Sequence, residues 1–461
     1  VKRNDMIARL QVLHACADSF SHPSTDVRTI LERQGMVADA LRNPDLVGVL
    51  HAILVRAQGR RHHMAWRLPG EGPADVVLAA IEILRLDMET IVALDDVMRK
   101  AAAPFSSEEY RRLFGMVSRW SRKDGMTRLG ALLDELTEAC LQGVTVEAGL
   151  DGSLRATGYR LMGKARRHWL PRIPGSSGSY VVPDHDAAGA ADVERRRDLA
   201  LAPLGSCLSR VVEGLDALFA DMHGGLSFGL GCSNLVRRLH DAGCGICLPA
   251  VLPSASSSRS IRGLYAVDLP LAGVHPVAND LTMTCGLLVV TGANQGGKTT
   301  FLRALGQAQL MMQCGAPVMA RGFSAPVRTG LFIHAAGGED SAAGRGRFEE
   351  ELHRIRTAVA SVRPRALFLF NEALSSTDDG NGSAVCEEIT KGLVDSGVEV
   401  MHVTHLLGFC DMCRSSGNAM MLRAGRRYDG ARTFRLEPGA PDSTAFSGDF
   451  FAAVLPGPRP T

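Results

Sequence analysis

The chain has 461 residues, 46% of them hydrophobic and 22% charged, with a formal net charge of +2 at pH 7. That is ordinary globular composition, long enough for two to four domains. The near balance of charge leaves nucleic-acid contact to local patches, and no apolar run of about 18 residues is present to span a membrane. The first stretch, VKRNDMIARLQVLHACADSF, lacks the apolar core and small-residue cleavage site of a signal peptide, and a start at Val1 leaves room for residues upstream.

Residues 1–250 read as an all-helical core and lever region. In DLVGVLHAIL and DVVLAAIEIL an aspartate, Asp45 or Asp75, opens the apolar pattern as an N-cap would. Leu129, Leu132, Leu133 and Leu136 form one amphipathic stripe, and Leu204, Cys207, Leu208, Val211, Val212, Leu215, Leu218 and Phe219 a longer one. Such stripes are read as core packing. Residues 171–190, with three prolines and many small residues, read as a mobile loop. LPSASSSRS at residues 252–260 is a second break and marks the main domain boundary. Beyond it, residues 251–461 alternate short apolar runs with helical segments: residues 287–290, 331–333, 366–370 and 398–403. That alternation predicts an α/β domain with a parallel sheet covered on both faces.

Eleven cysteines, an odd number scattered through a long chain, favour reduced thiols in the cytosol over a disulfide framework. The pairs Cys244/Cys247 and Cys410/Cys413 leave two readings open: four thiolates for zinc, or free cysteines buried in apolar surroundings.

The chemistry concentrates in LLVVTGANQGGKTTFLRALG, residues 287–306. Its spacing, Gly292 then Gly297-Lys298-Thr299, is that of a phosphate-binding P-loop between a strand and a helix. Glycines let backbone N–H groups converge on a phosphate, and the helix N-terminus adds partial positive charge. Lys298 is expected to reach the β- and γ-phosphates, and Thr299 to ligate Mg2+. A second element is needed near the metal. The strand in RALFLFNEALSSTDDG ends at Asn371-Glu372, where most P-loop ATPases carry aspartate at the first position. Asparagine offers the metal shell a carbonyl oxygen without charge. Glu372 is placed to polarise an attacking water. His405 follows the next predicted strand and is read as a switch at the sheet edge.

These residues resemble the MutS-type DNA mismatch-repair ATPases, an ABC-class family. Asn294, Gly296, Gly297, Lys298, Thr299, Thr300, Gly315, Val318 and Ala320 match its P-loop segment. VANDLTM resembles the Asn-Asp element before the first ATPase strand, and residues 338–355 the signature region. FNEALSSTDDG resembles the acidic strand end with its inter-subunit loop, and VTHLLGF the histidine switch. The five elements come in the family's order. The resemblance implies an N-terminal helical core followed by a P-loop ABC-class α/β ATPase domain, with ATP and Mg2+ as cofactors. Gly292, Asn294, Gly296, Gly297, Lys298, Thr299 and Thr300 would hold nucleotide, with Thr299 and Asn371 at the metal and Glu372 and His405 catalytic. Gly344 and Gly346 would meet the γ-phosphate of a second copy, so a homodimer through the ATPase domains is implied.

Three departures stand out. Asn371 replaces the usual aspartate, the signature run is Gly344-Arg345-Gly346-Arg347 without its common serine, and the nearest planar candidate for stacking on adenine is His275. Phe-x-Glu, the mismatch-reading motif, occurs only at Phe348 and Phe370 inside the ATPase region, so a mismatch-recognition domain is not expected. Arg160, Lys164, Arg166 and Arg167 belong to a stretch, residues 152–173, without an acidic residue. It reads as a patch that tracks DNA phosphates or as a solvated basic loop. The reading is a nucleotide-switched dimeric clamp on double-stranded or branched DNA in repair or recombination. It would be cytoplasmic, nucleoid-associated and off the membrane, with repair proteins as further partners. A nucleotide-gated protein-interaction module without DNA binding, with slow or absent hydrolysis, is the alternative.

Overall fold

The structure is a computed structural model that describes residues 2–65, 72–101, 105–142, 145–150, 156–162, 187–335, 347–375, 377–427 and 431–440. Helices α1 (Lys2–Ser21), α2 (Val27–Arg42), α3 (Pro44–Ala65), α4 (Pro73–Lys100), α5 (Glu108–Trp120) and α6 (Lys123–Gln142) come first. Strands β1 (Thr145–Leu150) and β2 (Ala156–Met162) and the helix α7 (Ala187–Asp241) follow. Next are β3 (Ala250–Leu252), β4 (Arg259–Leu264), α8 (Asp268–Leu271), β5 (Asn279–Met283), β6 (Leu287–Thr291), α9 (Lys298–Gln313) and β7 (Gly322–Pro326). The rest are β8 (Leu331–Ala335), α10 (Arg347–Ser361), β9 (Leu367–Asn371), α11 (Asp379–Asp395), β10 (Glu399–Val403), α12 (Leu407–Ser416), β11 (Ala419–Arg426) and β12 (Arg432–Pro438). The chain divides into two compact units, Val1–Val12 with Asp39–Leu230, and Leu13–Ala38 with Gly231–Thr461.

The first unit is a helical assembly. Its α3 and α4 open on Pro44 and Pro73, whose fixed φ and missing N–H suit a first helical turn. Asp45 and Asp75, expected at the caps, therefore sit inside that turn, facing the positive end of the helix dipole. Val77, Ala80, Ile81 and Leu84 of α4 pack on Leu133 and Cys140 of α6 and on Leu201 and Val212 of α7. Each of the valines, leucines and the isoleucine among them contributes roughly 1.5–3 kcal/mol when fully buried. Leu204, Leu208 and Leu215 of the α7 stripe lie against this core, whereas Cys207 and Val211 are exposed. The region is not all-helical: β1 and β2 pair antiparallel, with Thr145 opposite Met162. In sequence, Val146, Ala148 and Leu150 alternate with Thr145, Glu147 and Gly149, and a DGSLR connection supplies turn formers. That period of two outweighs the helical trend around it. The loop reading for residues 171–190 lies mostly outside the described residues.

The second unit is built on a six-stranded sheet of order β12-β11-β6-β10-β9-β8, parallel except for β12. The four apolar runs read from the sequence are β6, β8, β9 and β10. On one face, Ile355 of α10, Leu393 of α11 and Phe409 of α12 close a core over Val289, Phe368, Phe370 and Val400. Within it, Phe368, Phe370 and His402 stack at centroid distances of 4.2 and 4.4 Å. Burial pushes the His402 imidazole down to about 3. The other face carries α9, buried along most of its length and in contact with β9 and β10 on one side and β4 on the other.

Strand β4 belongs to a second sheet, of order β3-β7-β4-β5, which the sequence reading did not foresee. Arg259 of β4, wholly buried, makes two hydrogen bonds of 3.0 and 2.8 Å to Glu399 at the start of β10. Arg328 joins them at 2.8 Å. Burial alone would raise the Glu399 carboxyl; the two guanidiniums outweigh it and hold it below the usual range. Among the described residues no helix is long and apolar enough to cross a membrane.

Candidate functional site

At the C-terminal end of β6 the chain turns through glycines and enters α9. Gly292 has φ 110°, and a Cβ there would lie 2.9 Å from the backbone nitrogen of Ala424 on β11. A Cβ at Gly296 would meet the Ala293 carbonyl oxygen at 2.9 Å and Ala424 Cβ at 2.8 Å. Gly297, φ 92°, is the residue from which α9 starts. The loop is thus wound tightly against the β11–β12 hairpin, and larger residues at 292 and 296 would push it off. Its N–H groups and the α9 N-terminus form the anion-receptive end of a strand-loop-helix unit.

Lys298, 4% exposed, is folded back into this loop. Its Nζ donates to the carbonyl oxygens of Gly292 at 2.7 Å and Ala293 at 3.2 Å, and lies 3.9 Å from Glu372 Oε1. Burial lowers the ammonium below the usual lysine range, Glu372 pulls it back up, and Arg432 pushes it down again. The hydroxyl of Thr299 donates to Asn371 Oδ1 at 2.9 Å, bringing two side-chain oxygens together at the end of β9. Glu372, with φ 54°, leaves the strand in the left-handed region. Such a conformation costs about 1–3 kcal/mol and persists only where neighbours impose it.

A cleft of about 330 Å3 opens over the loop, lined among others by Gly296, Gly297, Lys298, Thr299, Thr300 and Glu372. His275 and Phe434 also line it. His275 was the planar side chain expected from sequence; Phe434 was not foreseen. Phe434 belongs to β12, with φ 57°, and its atoms come within 3.5–3.7 Å of where a Cβ on Gly297 would stand. Asn279 of the Asn-Asp element fastens it there, donating to the Phe434 carbonyl at 3.1 Å and accepting from the Leu436 N–H at 2.7 Å. Neighbouring Asp280 accepts from the Gly263 N–H at 2.6 Å. The only hint in the sequence was the Asn-Asp pair itself.

The remaining expected site residues fall in different places. Asn294 is exposed on the loop and His405 is exposed just beyond β10; neither lines the cleft. Gly344, Gly346, Lys164, Arg166 and Arg167 lie outside the described residues, and Arg160 is on β2. Cys410 and Cys413 are on α12 in the core with Cys386. Among the described residues no group of three or more His, Cys, Asp or Glu side chains is placed to hold a metal ion, so the two cysteine pairs do not form one centre.

A tight glycine loop and a buried lysine at the C-terminal edge of a mainly parallel sheet, with Thr299 hydrogen-bonded to Asn371 beside them, define an α/β protein with a strand-loop-helix cleft at the sheet edge. The family follows from the sequence comparisons. Residues 25–242 match the model of the MutS2 N-terminal domain, and residues 288–427 that of MutS domain V. The chain belongs to the MutS family. It is 32% identical over 159 residues to Endonuclease MutS2 of Streptococcus mutans serotype c, covering 34% of this chain and 20% of that protein. It is 33% identical over 159 residues to Endonuclease MutS2 of Streptococcus agalactiae serotype Ia, with the same coverage of 34% and 20%. To DNA mismatch repair protein MutS of Streptococcus gordonii it is 28% identical over 204 residues, 42% of this chain and 24% of that one. The chain thus covers only a fifth to a quarter of the length of these relatives.

Proposed function

We propose that this chain is an ATP-binding and ATP-hydrolysing switch that acts as a dimeric clamp on double-stranded or branched DNA in repair or recombination. The carrying observation is the grouping of Lys298, Thr299 and Glu372 around one cleft, with Asn371 2.9 Å from the Thr299 hydroxyl. Residues 251–461 serve as the P-loop, ABC-class ATPase domain, and residues 1–250 as the core and lever that the nucleotide state moves. Relatives whose names specify DNA mismatch repair support the repair setting.

The residues fit ATP and Mg2+. Backbone N–H groups of residues 292–297 cradle the phosphates, and the Gly292 and Gly296 positions leave no room for a Cβ that would displace that cradle. Lys298 exchanges its two carbonyl partners for phosphate oxygens. Thr299 and Asn371 offer oxygen donors of the kind a hard cation takes. Bound Mg2+ would neutralise phosphate charge. Phe434 and His275, planar side chains in the lining of the cleft, are the candidates to stack on a base. Glu372 takes a proton from the attacking water, and His405 acts as the switch. Gly344 and Gly346 serve the site of a second copy, making the homodimer the working unit. Arg160, Lys164, Arg166 and Arg167 track DNA phosphates.

The test is ATP turnover with homoduplex, mismatched and branched DNA, beside filter binding at low and high salt. The expected outcome is salt-sensitive binding that changes with ATP. Absence of DNA affinity at low salt, with and without ATP, would overturn the clamp and leave a nucleotide-gated protein-interaction module.

A further inference from the structure

Helix α10 carries a buried charge that packing does not account for. Glu351 is 3% exposed. Its Oε1 accepts from the backbone N–H of Leu374 at 2.9 Å and from His334 Nε2 at 3.0 Å. His334 is buried on β8, in register with Phe370 of β9. A carboxylate removed from water is kept only where such donors meet it.

Leu374 belongs to the turn that leaves β9. Within three residues of that turn, Glu372 and Leu374 adopt φ of 54° and 57°. Residues with side chains hold that region only when their surroundings impose it. Two hydrogen bonds do so here. The Glu372 N–H donates to the Val403 carbonyl at 2.7 Å, and the Leu374 N–H donates to Glu351. The turn is held by β10 on one side and by α10 on the other, with Ala373 and Leu374 buried in the core between them.

We infer that Glu351 is a positioning residue for Glu372: its grip on the Leu374 N–H fixes the turn that keeps the Glu372 carboxylate 3.9 Å from Lys298. The inference rests on the reading of Glu372 as the base. Glu351 does not line the cleft; it reaches the turn through the backbone N–H of Leu374. Removing its oxygen leaves a buried N–H without an acceptor, and the strained turn is then free to relax.

The test uses the intact chain and three variants. Glu351→Ala removes the acceptor, Glu351→Gln keeps an oxygen for the Leu374 N–H, and Glu372→Gln removes the base alone. Glu351→Ala is expected to lower kcat about tenfold or more, since a small misplacement of a catalytic group is costly. Its affinity for a non-hydrolysable ATP analogue should stay within about threefold of the unaltered chain, as should kcat of Glu351→Gln. Amide exchange in the peptide containing Leu374 should accelerate in Glu351→Ala and not in Glu351→Gln.

Two failures are distinguishable. Full turnover in Glu372→Gln, or none in the unaltered chain, defeats the base reading, and the exchange rates then decide whether Glu351 holds the turn. Lost turnover in Glu372→Gln with unchanged kcat and unchanged exchange in Glu351→Ala overturns the positioning inference. Equal loss of kcat and analogue affinity in a folded Glu351→Ala overturns it too, because that marks a disturbance of the whole cleft and not of the Glu372 turn. Where Glu351→Ala does not fold, Glu351→Asp, one methylene shorter, replaces it.

Discussion

Asn371 concentrates the chemical question of the site. Its Oδ1 already accepts from Thr299, so Asn371→Asp keeps the geometry and adds a charge. Bonds to charged acceptors are stronger by about 1 kcal/mol than neutral ones, or roughly fivefold in a binding constant. Asn371→Asp is therefore expected to lower the half-saturating Mg2+ concentration for turnover about fivefold; an unchanged value would remove Asn371 from the metal site. His402 supplies a second prediction, in stability. The folded chain keeps it neutral down to about pH 3, whereas an unfolded histidine protonates near the ordinary value of 6.5. Between those values the unfolded chain binds the extra proton, so stability falls as pH drops, by up to about 1.4 kcal/mol per pH unit. His402→Phe, which retains a ring against Phe370, should flatten that part of the urea-midpoint profile between pH 6.5 and 4. Lys298, Thr299 and Asn371 were legible in sequence because loop spacing and strand-end position are local facts. Phe434 and Glu351 were not, because their partners stand 155 and 23 residues away, at Asn279 and Leu374.

Elements explain why the loop sits where it does. The β11–β12 hairpin presses Ala424 against Gly292 and Gly296, so the hairpin shapes the glycine loop from behind. Gly292→Ala would place a Cβ 2.9 Å from a backbone nitrogen at φ 110°, and backbone has little freedom to yield. A loss of about 1–3 kcal/mol in denaturant stability is expected, together with weakened nucleotide binding. Equal binding by Gly292→Ala and the unaltered chain would show that the hairpin does not constrain the loop. The two sheets are joined by the buried Arg259, Glu399 and Arg328 cluster. Glu399→Gln leaves two guanidiniums without their counter-charge and should cost about 3–5 kcal/mol. The central strands β6, β9 and β10 were readable because burial on both faces makes them nearly continuous apolar runs. Strand β4 was not: its burial alternates, and its wholly buried first residue is an arginine paired with a glutamate 140 positions away.

At the scale of the whole molecule, each unit has a core of its own, and the cleft lies within the second. At the sheet edge, Glu372 keeps 33% of its side chain exposed and His405 is exposed. A hydrolytic site excludes water on closing, so the open flank needs a cover, and the proposed cover is a second copy. Turnover per chain should then rise with protein concentration until the pair is saturated. A sharper form uses mixing. Glu372→Gln chains added in excess to unaltered chains would occupy their partners' flanks. If a second copy only covers the site, each unaltered site keeps its own Glu372 and turnover per unaltered chain is sustained, or increased at low concentration. If the two sites must fire together, turnover falls in proportion to the fraction of mixed pairs. Turnover that ignores both total concentration and added Glu372→Gln chains would mean that one copy completes the site alone, and the dimeric clamp would lose its physical basis.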